Sequence, residues 1–154
     1  MIWEGGHRVP FIIRWPGKII PGSENNEAIG LVDMFHTFSA ITGGDLPTNA
    51  GEDSYNILPY WMSEIMEQPI REDIIHHSGA GVFAIRKGIW KLIVGTEEGG
   101  YLSDGPKEGS SGQLYNMKND PYEKNNLFNI EPDVVQKLTQ LLEKYKQQGF
   151  SRPK

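Results

Sequence analysis

A chain of 154 residues with 38% hydrophobic residues is long enough for one domain with a core of its own. The net charge is −5 and Lys and Arg are scattered, which excludes the basic stripe of a nucleic-acid binder. A mean hydropathy of −0.46 and the lack of any apolar run of about 18 residues exclude a membrane-spanning helix. Cysteine is absent, which removes disulfides, Cys-based zinc sites and thiol nucleophiles together.

The 18 glycines and 10 prolines predict many turns. No basic segment followed by an apolar one opens the chain, so no signal peptide is visible. Val9 to Trp15 is apolar except for Arg14 and reads as a strand, closed by Pro16-Gly17. Ala28 to Val32 reads as extended or weakly helical. Asp33 reads as the N-cap of a helix carrying Met34, Phe35, Phe38 and Ile41, which Gly43-Gly44 ends. Asn56 is placed to cap a short helix over Ile57 to Met62.

The middle of the chain reads as β structure. Asp73 to Ser78, Val82 to Arg86 and Ile89 to Val94 form three strands, the last two joined at Lys87-Gly88 as a hairpin. Gln113 to Asn116 supplies a fourth. Gly95 to Gly112 is a long loop, unusual in a compact domain and often functional or disordered. From Pro132 onward, Val134, Val135, Leu138, Leu141, Leu142 and Tyr145 line one face of a helix that Gly149 stops. The residues alone define a soluble α+β domain with a small antiparallel sheet and a packed C-terminal helix.

Chemistry is harder to place. No phosphate-binding Gly-rich loop, nucleophile elbow or His-Glu-x-x-His helix is present, and Gly79-Ala80-Gly81 reads as a turn. His76 and His77 are strand neighbours, so their rings point to opposite faces and cannot easily share a metal. Either one packs inside and the other lies on the surface, or one lines a pocket and meets an anionic substrate. His7-Arg8 either binds an anion or pairs with a carboxylate, for which Glu4 is one choice. Asn119 to Asn126 is rich in oxygen ligands but lacks EF-hand spacing, and reads as a solvated turn. Trp90 and Lys91 read as core and surface positions of the hairpin.

Five segments together resemble a known family. "WEGGHRVPFIIRWPGKIIPG" (Trp3 to Gly22), "LVDMFHTFSAITG" (Leu31 to Gly43), "SYNILPYW", "AIRKGIWKLI" (Ala84 to Ile93) and "QLYNMKNDPYEKNNL" (Gln113 to Leu127) resemble, in order, segments of the C-terminal part of arylsulfatase-type sulfatases. The family's proline in the second segment is replaced by His36. The resemblance implies sulfate-ester hydrolysis by a formylglycine nucleophile assisted by a Ca²⁺ ion.

It also implies that neither lies in this chain, which holds no formylglycine motif and neither pair of the family's metal ligands. On this reading residues 1–70 are the tail of the α/β catalytic domain, with a strand and a helix, and residues 71–154 are the C-terminal α+β subdomain. Met1 is then a seam that follows the catalytic half. The chain contributes no catalytic residue or metal ligand and is inactive alone. Its expected substrate contacts are His76, His77 and Tyr101, on the entrance rim. The substrate is a sulfate ester, bound only together with the missing half. A stand-alone binding or oligomerisation domain, self-associating through the Val9–Trp15 strand, is the alternative. The absence of cysteine fixes no compartment, and a periplasmic or secreted parent is compatible with it.

Overall fold

The computed structural model describes residues 1–95 and 112–153. Its elements are the helices α1 (Glu4–His7), α2 (Met34–Thr42), α3 (Leu58–Trp61) and α4 (Pro132–Gln148), and the strands β1 (Asp73–His77), β2 (Phe83–Lys87), β3 (Trp90–Val94) and β4 (Gln113–Asn116). They fall into two compact units. One joins Met1–Val9 to Asp73–Gln147, and the other joins Pro10–Glu72 to Gln148–Lys154.

The first unit is built on a four-stranded antiparallel sheet in the order β1-β2-β3-β4. Strand side chains alternate between faces, so the register decides what each face buries. Ile85 lies opposite Ile75 and Leu92, and Leu92 lies opposite Leu114. These residues pack against Leu138 and Leu142 of α4. The alternate set, Ala84, Ile93 and Tyr115, packs with Ile2, Val82 and Met117. Both faces are therefore covered, one by α4 and the other by the N-terminal segment. Near-continuous apolar runs such as Leu92 to Val94 suit strands buried on both sides.

Local chemistry closes the unit. Gly88, at φ 55°, takes the first position of the two-residue β2–β3 loop, where a hairpin needs a positive φ. Gly149, at φ 76°, sits just beyond α4 and ends it.

The second unit is organised by Asp33, which is fully buried. Its carboxylate accepts from the Gly30 N–H (2.7 Å), the Tyr55 N–H (3.0 Å) and Nη1 of buried Arg71 (2.7 Å). Thr37 donates to the Asp33 carbonyl at 2.7 Å and accepts from the Ile57 N–H at 3.0 Å. These bonds tie α2 to the segment before α3. After α4 the chain returns to this unit, where Ser151 donates from both its N–H and its hydroxyl to Asp53.

Three sequence expectations change. Val9–Trp15 forms no strand; Pro10 and Pro16 offer no N–H at either end, and no other strand pairs with it among the described residues. Asp33 does not cap α2; its backbone is already helical, and its oxygens serve the Gly30, Tyr55 and Arg71 donors instead. Lys91 is not a surface residue but is fully buried, because the face expected to be solvated is covered by Met1–Val9.

Leu142 is fully buried between α4 and the sheet. Leu142→Ala is expected to cost about 2–5 kcal/mol in denaturant unfolding.

Candidate functional site

Most of the charged groups singled out in the sequence converge on the sheet face covered by the N-terminal segment. Lys91 points into this face from β3. Its ammonium lies 3.1 Å from Glu4 Oε1 and 2.6 Å from Glu123 Oε1. A buried ammonium is tolerated only when paired and hydrogen-bonded; Glu4 accepts the hydrogen bond and both carboxylates supply the opposing charge. Glu123 Oε2 also accepts the Glu4 N–H at 2.6 Å, so it holds the first residue of α1. To reach both partners Glu123 adopts φ 54°, a left-handed conformation that is costly for a side-chain-bearing residue. Arg86 stands 3.9 Å from Glu4 Oε2 and adds a second cation.

His7 donates from Nε2 to Glu4 Oε1 at 3.1 Å. That bond, together with Lys91 and against the opposing effect of burial, lowers the Glu4 carboxyl to a pKa of about 2. The His7 ring stacks on His76, with centroids 3.9 Å apart. His76 donates from Nε2 to the Ile2 carbonyl at 3.2 Å. Burial, and then its proximity to His7, lowers the His76 pKa to about 4, so the ring is neutral at pH 7.

The two strand histidines do point to opposite faces. His76 packs inward against the N-terminal segment. His77 is exposed, donates to the Ser78 carbonyl at 2.9 Å and lies beside Phe83. Tyr101 lies outside the described residues, as does most of the Gly95–Gly112 loop. The structure thus places His76 and His77 but does not bring them into one site.

Sequence reasoning missed Lys91 and Glu123. Lys91 looked like the solvent half of an alternating hairpin, and Glu123 sat inside an apparently solvated turn. The available signal was the recurrence of both residues in segments that carry the family resemblance.

Beside α1 an open cleft of about 720 Å³ is lined by Trp3, Glu4, Gly5, Arg8, Tyr115 and Tyr122, among others. Among the described residues no group of three or more His, Asp or Glu side chains could hold a metal ion. Glu4 and Glu123 are committed to Lys91, and Asp33 to Arg71, so these carboxylates do not fit a Ca²⁺ site. No helix of the described residues is long and apolar enough to cross a membrane.

A two-sided antiparallel sheet carrying a C-terminal helix defines an α+β domain. The family described as "N-sulphoglucosamine sulphohydrolase, C-terminal" matches residues 1–148, and the chain belongs to it. Among curated proteins, it is 33% identical to an N-acetylgalactosamine-6-O-sulfatase of Bacteroides thetaiotaomicron, over 94% of this chain and 28% of that protein. It is 33% identical to a rat (Rattus norvegicus) steryl-sulfatase over 59% of this chain and 17% of that protein.

A solved structure from work on glycosaminoglycan metabolism by Bacteroides thetaiotaomicron superposes with a TM-score of 0.80. It is 31% identical, over 95% of this chain and 30% of that one. A second, solved with its substrate D-glucosamine-2-N,6-O-disulfate, has a TM-score of 0.67 at 26% identity, over 89% of this chain and 28% of that one. The chain therefore spans less than a third of the length of these relatives.

Lys91→Met leaves Glu4 and Glu123 buried without their cation and is expected to cost about 3–5 kcal/mol in denaturant unfolding. Lys91→Met combined with Glu4→Gln and Glu123→Gln is expected to recover part of that loss.

Acid should act in two stages. The folded His76 pKa of about 4 lies below the usual 6.5, so between those values the unfolded chain binds the proton more readily and stability is lost as the pH is lowered. Glu4, lowered from 4.5 to about 2, removes stability over the range between those two values. Thermal melts against pH should show both stages. Burial lowers His36 as well, so His76→Gln is expected to shrink the upper stage by on the order of 1–3 kcal/mol without abolishing it, and to spare the lower.

Proposed function

We propose that this chain is the C-terminal portion of a sulfuric ester hydrolase, shaping the entrance to a site whose reacting groups lie elsewhere. The observation that carries this is the family match over residues 1–148, in a chain that spans only 28% of its sulfatase relative. In this reading residues 1–70 complete the catalytic α/β domain and residues 71–154 form the C-terminal subdomain. Met1–Val9 covers one face of that subdomain's sheet. The formylglycine and the Ca²⁺ belong to the portion outside this chain. When present they would supply the nucleophile and the positive charge that a sulfate group in transfer requires.

The substrate proposed is a sulfated amino sugar. Two relatives support that class, one named for N-acetylgalactosamine 6-O-sulfate and one solved with a disulfated glucosamine. His77 and Tyr101 are proposed as rim contacts. His76 stands behind His77 on the inner face of β1, and its bond to the Ile2 carbonyl steadies the strand end that carries the rim.

The second unit adds support. Ile12 is 90% exposed and Ile65 100%, and Phe11, Phe35 and Phe38 are also open to solvent. Side chains of this kind in number mark a covered surface, and the rest of the enzyme is the cover proposed. A stand-alone oligomerisation domain is the second reading, favoured by the same exposure.

Two measurements separate these readings. The purified chain is expected to release no sulfate from N-acetylgalactosamine 6-sulfate or 4-nitrophenyl sulfate above buffer, and turnover by the chain alone would overturn the first reading. A stable dimer in sedimentation, without turnover, would favour the second.

A further inference from the structure

The two faces of the sheet are covered in chemically different ways. α4 holds its face through apolar side chains, with Leu138 and Leu142 against Ile85, Leu92 and Leu114. Met1–Val9 has two apolar anchors on the other face, fully buried Ile2 and partly buried Trp3. Its other attachments are polar. The Trp3 indole N–H donates to Gln113 at 2.9 Å, the Glu4 N–H to Glu123 at 2.6 Å and Lys91 to Glu4 at 3.1 Å. His76 donates to the Ile2 carbonyl at 3.2 Å, and its ring stacks on His7 at 3.9 Å.

The charges on this face are already matched. The sheet supplies Arg86 from β2 and Lys91 from β3, Met1–Val9 supplies Glu4 and His7, and the turn after β4 supplies Glu123. Glu4 is the carboxylate that acts on His76, and His7, Lys91 and Arg86 already share it. A proton on His76 therefore places a cation beside Lys91 and His7 with no uncommitted carboxylate among these groups to meet it.

We propose that Met1–Val9 is an acid-released strap: protonation of His76 frees it from the sheet while the sheet and α4 stay folded. Once the strap leaves, water reaches the His76 ring, and Lys91 keeps Glu123 as its partner. The strapped form holds the His76 proton down to about 4 only, against 6.5 for a solvated ring. The open form thus binds the proton more readily, and lowering the pH between those values favours opening by about tenfold per pH unit. Glu4, lowered from 4.5 to about 2, pushes the same way below that range. The α4 face relies on apolar contacts, which carry no such dependence.

Release also takes away a wall of the cleft beside α1. Trp3, Glu4, Gly5 and Arg8 belong to the strap, whereas Tyr115 and Tyr122 stay with the sheet and its following turn. The cleft is then a property of the strapped form, present near neutral pH and lost in acid.

The test is residue-resolved amide hydrogen exchange on the whole chain between about pH 7 and about pH 4.5, corrected for intrinsic exchange rates. The Glu4, Gly6 and Arg8 amides report the strap, since they bond to Glu123, Trp3 and Glu4. Their protection is expected to fall by about tenfold per pH unit below about 6.5, while the amides of β2 and β3 keep theirs. His76→Gln and His76→Phe should each flatten this pH dependence; the second keeps a ring against His7 and so separates loss of the proton from loss of the stack. Strap protection that does not change with pH, β2 and β3 amides that lose protection in step with the strap, or an unaltered slope in the variants would overturn the proposal.

Discussion

One buried ammonium constrains the first unit. Lys91 Nζ lies in the interior, where an unpaired charge would cost far more than a domain's net stability. It is held there by carboxylates from two distant parts of the chain, Glu4 before the sheet and Glu123 after it. Satisfying that charge explains several other features. It fixes α1 against β3 and draws the turn around Asp120 inward. It also accounts for the left-handed backbone of Glu123, whose strain is offset by the bonds its carboxylate makes. A sheet that might have had one wet face instead has two dry ones.

The second unit repeats the logic with the signs reversed. Here the buried charge is an anion, Asp33, and the matching cation is Arg71, with two backbone N–H groups completing the shell. Both units are thus held by polar arrangements as well as apolar packing. Such arrangements contribute less net stability than their geometry suggests. What they impose is geometric, because each allows only one placement of the segments that meet there.

Much of the sheet and of α4 could be read from the residues, because periodicity reports burial directly. The apolar face of Leu138 and Leu142, the hairpin at Lys87-Gly88 and the strand at Gln113–Asn116 all follow from local pattern. The errors share one cause. For Lys91, Asp33 and Val9–Trp15 the sequence neighbours point one way, whereas their states depend on partners far along the chain or on the lack of one among the described residues. Charge type reveals that a residue must be solvated or paired but does not reveal which. Of the expected rim residues, the structure locates His77 at an exposed strand end and His76 inside, and Tyr101 falls outside the described residues.

The path of the chain has a consequence for how the molecule is made. The backbone passes from one unit to the other after Val9, returns after Glu72 and leaves again after Gln147. Neither unit is a continuous stretch, so neither can be released by a single cut. During synthesis Met1–Val9 must wait for the sheet, which begins at Asp73. The Pro10–Glu72 unit in turn lacks its Asp53–Ser151 bonds until Ser151 itself has been made. Each unit therefore waits for residues made long after its first ones, in contrast to the N-terminal-first order of contiguous domains.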